Sequence, residues 1–203
     1  MKLSFYGGAG KVTGSNFLIK GAQGKILVDC GIEQGADFVA EHTYGPFPYD
    51  VKGVDALVVT HAHLDHVGRI PKLVHDGFRG KIYMTPPTKD LAELIMMDSV
   101  GILGEEARRR GVAPLYEMQD VEKTFSLIET IDYHVEKPAC RQAGKATGLS
   151  VYLRNTGHIL GSASVRIKDL SDGTAMAFTG DIGNCPSPLL PDWEPITDAD
   201  AIV

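Results

Sequence analysis

Three histidines and an aspartate fall within six residues, His61-Ala62-His63-Leu64-Asp65-His66, directly after the apolar run Val54-Asp55-Ala56-Leu57-Val58-Val59. A run of that kind has the pattern of a strand buried on both faces. The histidines therefore begin where the strand ends, at Thr60. Three His and one Asp at these offsets arise by chance, given this composition, with a probability of roughly 1 in 1500 if each position is an independent draw. From a strand end, His61 and His63 point to one side by the two-residue period, while Asp65 and His66 enter the turn into a helix. One stretch can then serve two adjacent cations. Neutral imidazoles and a carboxylate suit zinc, with manganese or iron next. The plainer alternative is a set of surface histidines at a strand end.

The rest of the chain reads as strands, then helices, then strands, which implies an α/β or α+β layered fold. Strands are expected at 2–6, 15–20 and 25–30, the last two joined by the turn Gly21-Ala22-Gln23-Gly24. A helix is expected from near His66 to Gly77, and a strand at 81–85. Residues 88–131 form a helical region broken by Gly101, Gly104, Gly111 and Pro114. Strands return at 133–136, 149–155, 162–168 and 174–179, with Asp172-Gly173 as a hairpin turn. A proline-rich connection follows Asn184, and residues 197–203 resemble the opening of another buried strand, so the chain reads as a domain cut short. Gly7-Gly8-Ala9-Gly10-Lys11 lacks the full spacing of a phosphate loop and is followed by a strand, which favours a tight strand connection.

Composition narrows the function. Twenty-six acidic against 20 basic residues leave a net charge of −6, which argues against a general polyanion-binding surface. Nucleic acid contact would be local, with cations in an acidic pocket supplying the positive field. No apolar run exceeds about five residues, against the ~20 of a membrane helix, so no membrane association is expected. The first ten residues lack the apolar region of a secretory signal. The three cysteines, Cys30, Cys140 and Cys185, have no CxxC spacing, which points to a reducing, cytoplasmic setting.

Further site residues lie at strand ends. His158 sits in Gly157-His158-Ile159-Leu160-Gly161-Ser162-Ala163-Ser164, and Asp181 closes Phe178-Thr179-Gly180-Asp181. Asp29 ends an earlier strand, where it could orient a ligand or close a turn. Ser162 and Ser164 could line a substrate pocket or allow close backbone packing. Arg108-Arg109-Arg110, next to Glu105 and Glu106, reads as a solvated helix face. His42, His75 and His134 have no ligand-like companions. Cys30 reads as a small buried residue.

In this order, Asp29, His61-x-His63-x-Asp65-His66, His158 and Asp181 resemble the first four motifs of the metallo-β-lactamase superfamily. Gly8-Ala9-Gly10-x-Val12-Thr13-Gly14-Ser15, the segment from Gly157 to Ala163, the Phe178–Asp181 segment and Pro114-Leu115-Tyr116 are similar to its β-CASP branch of RNA-processing nucleases. The resemblance implies an αββα sandwich, here only its N-terminal part over residues 1–203. It also implies two zinc ions: His61, His63 and His158 on one, Asp65 and His66 on the other, and Asp181 bridging them. By the same resemblance, Asp65, His66 and Asp181 sit closest to the catalytic chemistry, and Asp29 supports the site from outside the ligand set. Two metals about 3.5 to 4 Å apart would furnish a bridging hydroxide that attacks phosphorus in line. The substrate implied is single-stranded RNA, cleaved internally or from the 5′ end.

The branch continues with a Glu-Ser-Thr-Tyr motif, the inserted β-CASP domain and further histidines, none of which is present here. The second metal is then short of a ligand and the leaving group short of a proton donor, so weak activity is expected of these residues alone. An uncovered sheet edge predicts homo-oligomerisation. The same ligands would also serve thioester, lactone or lactam hydrolysis, and some relatives are non-catalytic RNA-processing subunits.

Overall fold

The computed structural model describes residues 1–35, 39–140 and 144–203. Two sheets lie face to face. The first has strands β1 (Lys2–Gly7), β2 (Asn16–Lys20), β3 (Lys25–Val28), β4 (Ala56–Val58), β5 (Lys81–Met84) and β6 (Ile128–Thr130), in that spatial order. Its first three strands pair antiparallel and the rest parallel. The second sheet has strands β7 (Lys137–Cys140), β8 (Ala146–Asn155), β9 (Ala163–Asp169), β10 (Ala175–Phe178) and β11 (Ala201–Ile202), ordered β11-β10-β9-β8-β7.

The two-residue period distributes the core. Ile26, Val28, Ala56, Val58 and Tyr83 face the second sheet, where they meet Val151, Leu153, Val165 and Ile167. Their neighbours Leu27, Leu57, Ile82 and Met84 face the other way, into a layer of helices. Both faces of the central strands are thus buried, as the continuous apolar run at 54–59 required. The helices of that layer are α1 (Ala40–Tyr44), α2 (Leu64–Val67), α3 (Ile70–His75), α4 (Pro86–Arg110) and α5 (Met118–Leu127). Among the described residues this is the one helical layer. The outer face of the second sheet carries the proline-rich segment instead, held where Asn155 Nδ2 donates to Pro191 O at 3.1 Å and Arg154 Nη1 to Pro195 O at 2.7 Å.

Several local expectations are corrected. Helix α4 runs unbroken through Gly101 and Gly104. One side of it buries Ala92, Met96, Ser99, Leu103 and Ala107, and that packing outweighs the ~1 kcal/mol that each glycine costs. Gly111, with φ 69°, ends the helix in the left-handed region. The helix expected from His66 to Gly77 is two short ones, parted at Gly68 and Arg69, with Pro71 in the first turn of the second. Residues 128–130 form edge strand β6 rather than helix. Residues 133–136 form a turn with His134 at φ 65°. Short apolar runs look alike by periodicity in strands and helices, and pairing with β5 decided this one.

Arg109 and Arg110 pair with Glu105 and Glu106 on the exposed side of α4, as the charge pattern indicated. No helix among the described residues is long and apolar enough to cross a membrane.

Candidate metal centre

Parallel pairing places the loops after β3, β4 and β5 at one edge of the first sheet. Strands β8 and β10 both pair antiparallel with β9, so their ends share one edge of the second sheet. The two edges meet where Ala163 N donates to Thr60 O at 2.8 Å. Asp29, His61, His63, His158 and Asp181 are thereby gathered in one crevice from the ends of four strands, β3, β4, β8 and β10.

The ligand atoms converge. His61 Nε2 lies 3.0 Å from His63 Nδ1, and His158 Nε2 lies 3.1 Å from the same Nδ1. Asp181 Oδ2 is 3.7 Å from His61 Nε2 and 3.4 Å from His158 Nε2. One ligand atom from each of His61, His63, His158 and Asp181 falls within 4.8 Å of the others. On the far side of Asp181, its Oδ1 lies 3.5 Å from His66 Nε2, which is itself 3.8 Å from Asp65 Oδ2. The two oxygens of Asp181 thus face two different clusters. Asp65 and His66 occupy the first turn of α2, a little further into the helix than the strand-to-helix turn expected for them.

A hydrogen-bond chain behind the ligands orients them. Asp29 has φ 57°, a strained value for a non-glycine residue, which turns its carboxylate back toward β4. Its Oδ1 accepts from Thr60 N, and its Oδ2 from the Thr60 hydroxyl, each at 2.8 Å. His66 Nδ1 also donates to Oδ2, at 2.7 Å. With its single proton committed to Asp29, the Thr60 oxygen accepts from His61 Nδ1 at 3.0 Å. Both histidines are thereby left with an Nε2 lone pair facing the clusters.

Electrostatics separate the histidines. Burial, reinforced by the imidazoles of His66, His63 and His158, pushes His61 down to about 2, so it stays neutral. Burial also lowers His158, against the opposing charge of Asp181. For His66 burial acts in the same direction, but the charge and hydrogen bond of Asp29, with Asp65 and Asp181, hold it above the ordinary histidine value.

Three imidazole nitrogens packed this closely, with a carboxylate beside them, form a donor set that fits zinc. His61 is fully buried while the side chain of Asp181 is 45% exposed, so the crevice is open on the Asp181 side. The loop bearing His158 is pinned to the start of α4, where Gly161 O accepts from Thr85 Oγ1 and Thr88 Oγ1 at 2.7 and 2.8 Å. A Cβ at Gly161 would come within 2.5 Å of Thr88 N.

Ser162 is fully buried. Its Oγ accepts from His158 N at 3.1 Å and from Thr156 Oγ1 at 2.8 Å, bonds that hold the loop. Ser164 is buried too, and its hydroxyl reaches Arg154 O at 3.4 Å. Ser164 nonetheless lines a cavity with Thr156, Thr179, Ile182 and Trp193, whereas the Ser162 hydroxyl is taken up by its own loop. His42, His75 and His134 lie outside the crevice, facing Glu33, Asp120 and Glu194 respectively. Thr60, read from sequence only as a strand end, is the candidate site residue that reading missed, since its hydroxyl joins Asp29 to His61. A hydroxyl adjoining a ligand cluster was the available signal.

Comparison with known proteins agrees with this layout. The chain is 34% identical over 192 residues to Ribonuclease TTHA0252 of Thermus thermophilus, covering 95% of this chain and 40% of that protein. It is 34% identical over 183 residues to Transcription termination factor FttA of Methanosarcina mazei, covering 89% of this chain and 27% of that protein. The chain thus spans less than half the length of either relative. In fold it resembles a Cronobacter sakazakii metallo-β-lactamase with a HARLDQ motif (TM-score 0.56, 16% identity, 93% of this chain and 63% of that one). It also resembles MEM-A1, a subclass B3 metallo-β-lactamase from a soil metagenome library (TM-score 0.52, 20% identity, 88% of this chain and 64% of that one). Residues 18–179, which carry both sheet edges and every candidate ligand except Asp181, match the metallo-beta-lactamase superfamily domain, and the chain belongs to that superfamily.

Proposed function

We propose that residues 1–203 are the N-terminal part of the metallo-β-lactamase domain of a β-CASP ribonuclease, a zinc-dependent phosphodiesterase acting on single-stranded RNA in the cytoplasm. The observation that supports it best is the convergence of His61 Nε2, His63 Nδ1 and His158 Nε2 beside one oxygen of Asp181, whose other oxygen faces His66 and Asp65. In this reading His61, His63 and His158 would hold one zinc, Asp65 and His66 would hold a second, and Asp181 would contribute to both sites.

When bound, the zinc pair supplies Lewis acidity and an activated water for in-line displacement at phosphorus. The protein's own contribution is orientation. Thr60 and Asp29 engage Nδ1 of His61 and His66, which aims their Nε2 atoms at the clusters. Ser162 holds the backbone from which His158 projects. The open side at Asp181 admits the scissile phosphate. No serine or cysteine nucleophile is required, consistent with Cys30 being buried, which raises its thiol to about 12. The similarity to a ribonuclease favours RNA as the polymer.

The test is cleavage of labelled single-stranded RNA, against a model thioester, by the protein extended through the region that the relatives possess beyond this match. Chelator-sensitive RNA cleavage, abolished by His63→Ala, is expected. Thioester turnover without RNA cleavage would move the reading to acyl chemistry, and zinc binding without either would leave a non-catalytic subunit.

A further inference from the structure

Arg69, the residue between α2 and α3, is only 7% exposed. Its guanidinium lies over the Phe47 ring at 4.2 Å from the centroid. Nη2 donates to Gly45 O at 3.3 Å, and Nε is buried with no hydrogen-bond partner among the described residues. Among the described residues no carboxylate lies within ion-pair distance of it. A buried cation with an unpaired donor and no counter-charge is costly unless an anion completes it.

Arg69 lines a groove of about 430 Å³ between the backbone at Gly8, the side chains of Lys11 and His42, and Pro46. Two carboxylates share the groove. Glu33 is matched by Lys11 at 2.9 Å and His42 at 3.0 Å, and Glu41 stands exposed on α1. Phe5, also in the groove, leaves half its surface exposed. The groove backs onto the metal-centre helix: Ser15 N donates to Asp65 O at 2.9 Å, and Arg69 N to Cys30 O at 2.9 Å.

We propose that this groove binds the phosphate backbone of the single-stranded RNA outside the cleavage point, with Arg69 donating to a phosphate oxygen and Phe5 stacking on a base. It rests on the ribonuclease reading for the identity of the polymer, but it places binding on residues that hold no metal. Guanidinium–phosphate hydrogen bonds are charge-assisted, and an exposed aromatic beside a cation suits bases of any sequence.

The test is fluorescence anisotropy of a labelled oligouridine of about twelve nucleotides, titrated with the protein in excess chelator over a range of salt concentrations. Arg69→Gln is expected to weaken binding about 5- to 10-fold and lower the salt slope by about one. Arg69→Lys, which keeps the charge, should lose less. Ala9→Glu, on an exposed position of the groove wall, should weaken binding similarly with an unchanged thermal midpoint, and it decides the matter if Arg69→Gln does not fold. Oligouridine binding unaffected by Arg69→Gln and Ala9→Glu overturns the proposal. So does binding of inorganic pyrophosphate at Arg69 without binding of the oligonucleotide. Because zinc is absent throughout, failure of the metal-centre reading would appear separately, as a lack of zinc uptake by a protein that still binds RNA through Arg69.

Discussion

The hydroxyl of Thr60 donates to Asp29 Oδ2 at 2.8 Å, and that bond joins the two halves of the candidate centre. Asp29 fixes His66 directly and His61 through Thr60, so one carboxylate orients a histidine in each cluster. Gly180, at φ 55°, packs against Thr60 so closely that a Cβ there would lie 2.9 Å from the Thr60 Cβ. The backbone leading to Asp181 is thereby held against the same hydroxyl-bearing residue.

Thr60→Val removes the relay while keeping the shape of the side chain. Zinc affinity should fall about 10- to 100-fold, the usual cost of losing a partner that orients a ligand, whereas Thr60→Ser should stay close to the parent. Competition with a chromophoric chelator measures both. Equal affinities for the Val and Ser variants would show that the relay has no role in metal binding.

The two clusters should bind zinc unequally. Three imidazoles and a carboxylate oxygen form the first, while Asp65, His66 and the other Asp181 oxygen form the second among the described residues. Titration should show one tight equivalent and one weaker. His63→Ala should abolish the tight one, and Asp65→Ala should spare it. Two equivalents of equal affinity would contradict this ordering.

Gly31 has no room for a side chain. A Cβ there would sit 1.6 Å from Asp65 O and 2.6 Å from His66 N, both backbone atoms of α2. Gly31→Ala must displace the helix that carries two ligands, and we expect it to cost more than about 3 kcal/mol. Urea unfolding reads this directly, and a loss below about 1 kcal/mol would mean that α2 can shift freely.

Asp169 provides a pH-dependent contribution to stability away from the site. It is 2% exposed, and its carboxylate accepts from Ala22 N at 2.9 Å, Ser171 N at 3.0 Å and Ser171 Oγ at 2.7 Å, tying the β2–β3 turn to the second sheet. Burial opposes its charge, but these hydrogen bonds prevail and hold it below the ordinary aspartate value. A carboxyl whose pKa is depressed on folding stabilises above its unfolded value of about 3.9, and that contribution disappears as pH falls through the folded value. Asp169→Asn should therefore cost about 1–2 kcal/mol at pH 7, with the gap from the parent narrowing as the pH drops below 3.9. A gap that stays constant with pH would assign the cost to shape rather than charge.

By itself the sequence determined the layered α/β class, most of the strands and the chemical identity of the ligand cluster. Those signals are local: a continuous apolar run at 54–59, a glycine turn at 21–24, and three histidines and an aspartate in six positions at 61–66. Tertiary structure decided what local signals cannot encode. The Asp29–Thr60 bonds join residues 31 apart, and the His158–His63 approach joins residues 95 apart. Helix α4 passes through its glycines because of what it buries, Ser162 turns inward because its loop needs its hydroxyl, and among the described residues Arg69 has no counter-charge within ion-pair distance because the turn after β3, the end of α1 and Phe47 close around it. Each of these outcomes depends on packing between elements distant in the chain, where burial and hydrogen-bond satisfaction outweigh single-residue preferences.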